Sequence, residues 1–110
     1  LDLAQKIEKA RTMKGPRMII ALSPCPTGWD YDPKHTVNIG KLAVKTGVWP
    51  LKEYIDGKVV HTKIPKQRKP VEEYLQLQGR YKHLFEPQRD EEMLKLIQDK
   101  IDRYWENVVV

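Results

Sequence analysis

The chemistry most in need of explanation belongs to the single cysteine, Cys25. It sits in Ser23-Pro24-Cys25-Pro26-Thr27-Gly28-Trp29, directly after the apolar run Met18-Ile19-Ile20-Ala21-Leu22. Proline on either side fixes φ and removes a backbone donor, and the residue before each proline is pushed to extended backbone. The thiol is therefore carried on a stiff segment just past an expected strand end, where α/β sheets usually bind ligands. A nucleophilic thiol wants a histidine base beside it. Of His35, His61 and His83, only His35 is near in sequence, at an expected helix start, and nothing marks it as that base. A lone cysteine excludes an internal disulfide, which favours a reducing, cytoplasmic setting. The Cys-x-x-Cys or Cys/His spacing of a zinc site is absent.

Two roles for the thiol remain. The commoner for such a cysteine is a small buried hydrophobe. The other is one ligand of a shared iron–sulfur cluster, which takes about four thiolates and would draw the rest from a larger polypeptide.

The other charged and aromatic residues read more plainly. Lys63, Lys66, Arg68 and Lys69, interspersed with Pro65 and Pro70, form a solvated linker or a docking surface for an acidic partner. Aromatics do not interleave with these charges, so a stacking platform for single-stranded nucleic acid is not expected. Glu72-Glu73 and Glu91-Glu92 fall at helix starts, where they complement the helix dipole. Trp29, Trp49 and Trp105 read as packing anchors. A Gly-rich phosphate loop is absent, and so is the Gly-Asp-Gly…Asn pattern that holds diphosphate and magnesium in thiamine-dependent enzymes. The net charge of +5 is modest and does not by itself point to nucleic acid. No apolar run approaches the ~20 residues that span a bilayer, and no signal-peptide pattern opens the chain.

These residues need elements to position them. Leu3, Ile7 and Ala10 recur at helical spacing, which predicts a helix over Asp2–Met13. Gly15-Pro16 ends it and launches a buried strand, Arg17–Leu22. Helix then strand is the closing half of a βαβ unit, and a lone parallel strand forms no sheet. That gap, and an opening Leu1-Asp2-Leu3 already in helical periodicity, lead us to expect a piece of something longer. Asp32-Pro33 caps a helix over Pro33–Thr46 that buries Val37, Leu42 and Val44 in part, with Gly47 as its C-terminal cap. Asp56-Gly57 between Leu51–Ile55 and Lys58–Ile64 predicts a hairpin. Pro70 starts a short helix, Val71–Gln76, stopped near Gly79. Asp90 caps a last helix, Glu91–Trp105, whose stripe of Met93, Leu94, Ile97, Ile101, Tyr104 and Trp105 either wraps back onto the domain or docks on another subunit.

Two stretches carry a resemblance. Ser23–Trp29, followed by Ile39-Gly40-Lys41-Leu42-Ala43-Val44-Lys45-Thr46-Gly47-Val48-Trp49-Pro50-Leu51, resembles the C-terminal third of the thiamine-diphosphate-binding β subunit of the 2-oxoacid:ferredoxin oxidoreductases. Lys69–Leu75 and Leu77-Gln78-Gly79-Arg80-Tyr81 are similar to the end of that subunit. The Pro-Thr-Gly-Trp and Gly-Val-Trp-Pro-Leu forms lean towards the enzymes acting on pyruvate; relatives acting on 2-oxoisovalerate or 2-oxoglutarate share the cysteine loop more loosely.

The resemblance implies an α/β fold: the C-terminal piece of a thiamine-diphosphate-binding doubly wound domain. Residues 1–64 would be the end of that domain, with a cluster-ligand loop at 23–29, and residues 65–110 a basic arm and helical tail. It implies that Cys25 is the fourth ligand of a 4Fe-4S cluster. The other cluster cysteines, thiamine diphosphate and Mg²⁺ would belong to the rest of the subunit. No catalytic residue is expected in this segment, which alone would be inactive. The implied partners are the other subunits of the oxidoreductase, ferredoxin, pyruvate and coenzyme A, with no nucleic acid and no membrane. An autonomous basic interaction module with a merely buried thiol is the alternative from another class.

Overall fold

The computed structural model describes residues 1–108. Helix α1 spans Asp2–Thr12, a one-turn helix α2 spans Pro26–Trp29, and a 3₁₀ turn at Pro33–His35 leads into α3, Thr36–Lys45. Strands β1, Leu51–Ile55, and β2, Lys58–Lys63, form a two-stranded antiparallel sheet. A short helix α4, Glu72–Leu75, a 3₁₀ segment at Gly79–Leu84 and the long helix α5, Glu91–Glu106, complete the described chain. Mixed helix with this small sheet is compatible with a piece of an α/β protein.

The core gathers around α3. Ile39, Leu42 and Ala43 are buried against Val71, Tyr74 and Leu75 of the α4 turn, with Leu84 and Leu94 beyond them. Residues from both sides of the basic arm therefore share one core. The expected C-terminal cap is present: Gly47 takes φ +85°, and its N–H donates to Val44 O at 3.1 Å. There the indole N–H of the buried Trp105 donates to Gly47 O at 3.0 Å, tying the end of α5 to the end of α3. The stripe on α5 thus wraps back onto the domain, through Leu94 and Trp105 with Ile97 and Ile101 partly covered. Met93, at 43% exposed, does not share in it.

The hairpin forms as expected. Asp56 (φ +51°) and Gly57 (φ +77°) make the left-handed two-residue turn that matches strand twist, pairing Ile55 with Lys58. The arm between β2 and α4 has no regular structure yet is tethered. Lys69 N–H donates to Lys45 O at 3.0 Å, and Arg68 pairs with Asp102 at 2.9 Å.

Two expectations change. Arg17–Leu22 is not a strand: no backbone among the described residues pairs with it, and Met18 and Ile20 are 82% and 68% exposed. A strand exists only through a neighbour's hydrogen bonds, and the described residues offer none here. Val37 is exposed, and Ile39 takes its place in the core because the helix proper begins only at Thr36, after the 3₁₀ turn. The short helix stops ahead of Gly79 as expected, at Leu75, and Gly79 opens a separate 3₁₀ segment. Helix α1 forms where expected but buries none of its residues, leaving Leu3 and Ile7 half exposed. The radius of gyration is 16.1 Å, against about 13 Å for a compact chain of this size, and α1 meets the hairpin through polar contacts of Lys6 and Asp2 with Thr62 and of Lys9 with Glu53.

Two predictions follow from the α3–α5 junction. A Cβ at Gly47 would run into the Trp105 indole and approach Arg68 Cδ at 2.9 Å. Gly47→Ala adds left-handed backbone strain to that clash and is expected to destabilise the protein by about 2 kcal/mol or more in denaturant unfolding. His61 packs on the Tyr104 and Trp105 rings and shares a 2.8 Å hydrogen bond with the Tyr104 hydroxyl. Burial, with the Lys52 charge adding, lowers its pKa below the ordinary 6.5. The unfolded chain therefore binds the proton more readily than the folded one, so stability present above pH ~6.5 is lost as pH falls below it. The thermal midpoint is expected to drop between pH 7 and pH 5, and to drop less in His61→Gln. Asp2 does not confound this window: burial raises its pKa, but hydrogen bonds from Lys6 and Thr62 and the Lys6 charge outweigh that and hold it below the ordinary 3.8.

Candidate functional site

Cys25 caps a helix. Its backbone is extended, at φ −121° and ψ 110°, as a residue before proline requires, and Pro26 takes the first helical position, where no amide hydrogen is needed. The Cys25 carbonyl accepts the Trp29 N–H at 2.8 Å, and Cys25 Sγ accepts the Gly28 N–H at 3.2 Å. The sulfur is solvent-exposed. Among the described residues it is not a small buried hydrophobe. The flanking prolines hold a thiol outward on a closed turn.

Other elements hold that turn from two sides. On one, a Cβ at Gly40 would meet the Pro24 ring at 3.7 Å, so Pro24 lies against the glycine face of α3. On the other, Asp30 takes left-handed backbone (φ +57°) to end the helix, and its carbonyl accepts the Gly79 N–H at 2.6 Å. A Cβ at Gly79 would collide with the Asp30 carboxylate and lie 2.8 Å from the Asp30 carbonyl oxygen. Glycine is needed there for close approach. Trp29 packs edge-on against Tyr74 at 6.4 Å and near Tyr31 at 6.5 Å, which anchors the turn to the core.

No hydrogen bond joins a histidine to Cys25 among the described residues; His61 is engaged by Tyr104. No group of three or more His, Cys, Asp or Glu side chains able to hold a metal ion occurs among the described residues. Cys25 is a single outward donor. The basic arm borders a cleft of ≈ 600 Å³ shared with α5. Its charges are largely paired: Arg68 with Asp102, Arg89 with Glu72 and Glu91, and Lys95 with Asp99. That lattice ties segments together and leaves no converging cationic pocket. Glu72 and Glu91 lie in helical first turns as expected, and Trp105 is the buried anchor. Among the described residues no helix is long and apolar enough to cross a membrane.

The residues that brace the turn from the far side, Gln78, Gly79 and Arg80, were not singled out by the sequence for this role. Gly79 carried only a helix-stop signal, and a close backbone approach across about fifty residues of chain leaves no local pattern.

No protein-family model matches the chain. It is 51% identical over 88 residues to pyruvate synthase subunit PorB of Methanothermobacter marburgensis, covering 80% of the chain and 31% of that subunit. The corresponding subunit of Methanocaldococcus jannaschii is 46% identical over 92% of the chain and 32% of the relative. Ketoisovalerate oxidoreductase subunit VorB of Pyrococcus abyssi is 38% identical over 97% of the chain and 33% of the relative. The chain spans about a third of the length of the curated relatives it matches. The likeness carried by the cysteine turn and the stretch that follows it thus holds over most of the sequence: the chain belongs to the family of pyruvate synthase subunit PorB, and it spans about a third of that subunit.

Proposed function

We propose that the chain is the C-terminal part of the β-type subunit of a 2-oxoacid:ferredoxin oxidoreductase acting on pyruvate, and that Cys25 supplies one thiolate to its 4Fe-4S cluster. The observation that carries this is the exposed, proline-bracketed Cys25 Sγ, which receives the Gly28 N–H at 3.2 Å on a turn held from both sides. The donor chemistry fits: clusters are held by cysteine thiolates, and amide hydrogen bonds to the sulfur tune their potential. The fit is to one ligand, since this chain has no other cysteine. When bound, such a cluster supplies one-electron transfer toward ferredoxin. What this chain's own residues do is hold the thiolate outward, cap it with an amide and keep the turn closed. The remaining ligands, thiamine diphosphate and Mg²⁺ fall to the other two thirds of the subunit, and coenzyme A and the partner subunits complete the enzyme.

Two further observations support the reading. Met18, Ile19 and Ile20 of the unpaired run, and Leu3 and Ile7 of α1, are exposed apolar residues of the kind that pack against a further element. The PorB relatives are 39–51% identical and the VorB relatives 37–38%, so the lean towards pyruvate rests on the upper part of the PorB range.

Cys25→Ala in the complete enzyme tests the ligand role. The iron and sulfide of this one cluster and its reduced-state EPR signal are expected to fall to background. The loss of one capping hydrogen bond would cost the fold only about 0.5–1 kcal/mol. An unchanged cluster signal would overturn the ligand role. Comparing kcat/KM on pyruvate and 2-oxoisovalerate tests the substrate, and a higher value on 2-oxoisovalerate would place the enzyme with the VorB type.

A further inference from the structure

Arg80 has an unusual set of contacts for a surface arginine. Its guanidinium carbon lies 4.0 Å from the centroid of the Trp29 ring and 4.7 Å from that of Tyr81. Its Nε donates to Gln78 Oε1 at 2.7 Å, and Gln78 is itself 1% exposed, with its Nε2 donating to Tyr74 O at 2.7 Å. No carboxylate pairs with Arg80 among the described residues, although most other arginines here are in ion pairs. The charge is therefore spent on aromatic faces, and the side chain is aimed by an amide locked in the core. Trp29 is the residue whose N–H closes the Cys25 turn, and its neighbour Asp30 is bonded to Gly79 beside Arg80.

From this geometry we infer that Arg80 is a positioning residue for Cys25: its guanidinium, stacked on Trp29 and steered by Gln78, clamps the far end of the cysteine turn and so holds the Gly28 amide on the sulfur. The inference rests on the ligand reading for its consequence at the cluster, but the clamp itself is a property of this chain alone. Planarity matters here. A guanidinium lies flat on an indole while still donating in its own plane, which gives one side chain both contacts. The clamp leaves chemistry to others; Arg80 acts through Trp29 and the backbone of residues 25–30.

The test uses the complete enzyme with Arg80→Gln and Arg80→Lys. The first readout is amide hydrogen exchange at Gly28 and Trp29, compared with Ala43 and Thr46 in the core. In Arg80→Gln the two turn amides are expected to exchange at least about fivefold faster, with the core amides unchanged. The second readout is the rate at which a chelator strips iron, expected to rise by a similar factor. Arg80→Lys keeps the cation but loses the planar fork, and is expected to recover only part of both. Unchanged turn exchange in Arg80→Gln would overturn the inference. So would a uniform rise across turn and core, which marks a general structural role. Should Arg80→Gln fail to fold, Arg80→Lys decides by the same comparison: faster turn exchange with unchanged core exchange supports the planar clamp, and unchanged or uniformly raised exchange defeats it. Cys25→Ala separates the two proposals. If that variant keeps the cluster, the ligand reading falls while the exchange data still judge the clamp.

Discussion

The hydrogen bond from the Trp105 indole to the Gly47 carbonyl is the constraint on which the described structure turns. It joins residues 58 positions apart. Gly47 can present that carbonyl because it takes left-handed backbone at the end of α3, and no side chain fits between it and the indole. With α5 held there, Leu94 reaches the core beside Leu84, and Gln98 accepts the Val71 N–H at 2.8 Å. The α4 turn is then pressed onto α3, and Tyr74 comes up beneath Trp29. Without the junction, α3 would lose the partners that cover Ile39 and Ala43.

The cysteine turn inherits its order from this packing. Its own sequence supplies local rigidity through Pro24 and Pro26, and one capping bond from Gly28. Four residues of helix are too few to persist alone, because nucleation costs more than a single turn returns. The tertiary supports decide its persistence: Trp29 on Tyr74, Asp30 on Gly79, Pro24 against Gly40. An outward thiol on a braced turn would present the proposed cluster ligand with little reorganisation, which suits a group shared with the remainder of a larger subunit.

Much of the element pattern was legible in the sequence. The hairpin turn at Asp56-Gly57, the cap at Asp90 and the glycine stop at Gly47 are each determined within a few residues, and each forms. The Arg17–Leu22 strand did not form, although its apolar run is as clear as any in the chain. Its pairing partners are non-local, so composition can announce a strand but cannot provide the neighbour that makes it one. The site divided in the same way. Cys25 and its prolines are visible at a glance, whereas Gly79 and Arg80 gain their meaning only from lying against Asp30 and Trp29.

By itself the sequence determined the hairpin turn, the Asp90 cap and the Gly47 stop, that one thiol is held on a stiff segment, and which family's motifs the chain carries. These depend on φ preferences, caps and spacing, which act over a few residues. Only the tertiary structure decided that the thiol faces solvent, that the C-terminal helix returns to the core through Leu94 and Trp105, and that Gln78, Gly79 and Arg80 lie against the cysteine turn. Those outcomes depend on which distant surfaces bury one another, a choice made by packing over the whole chain.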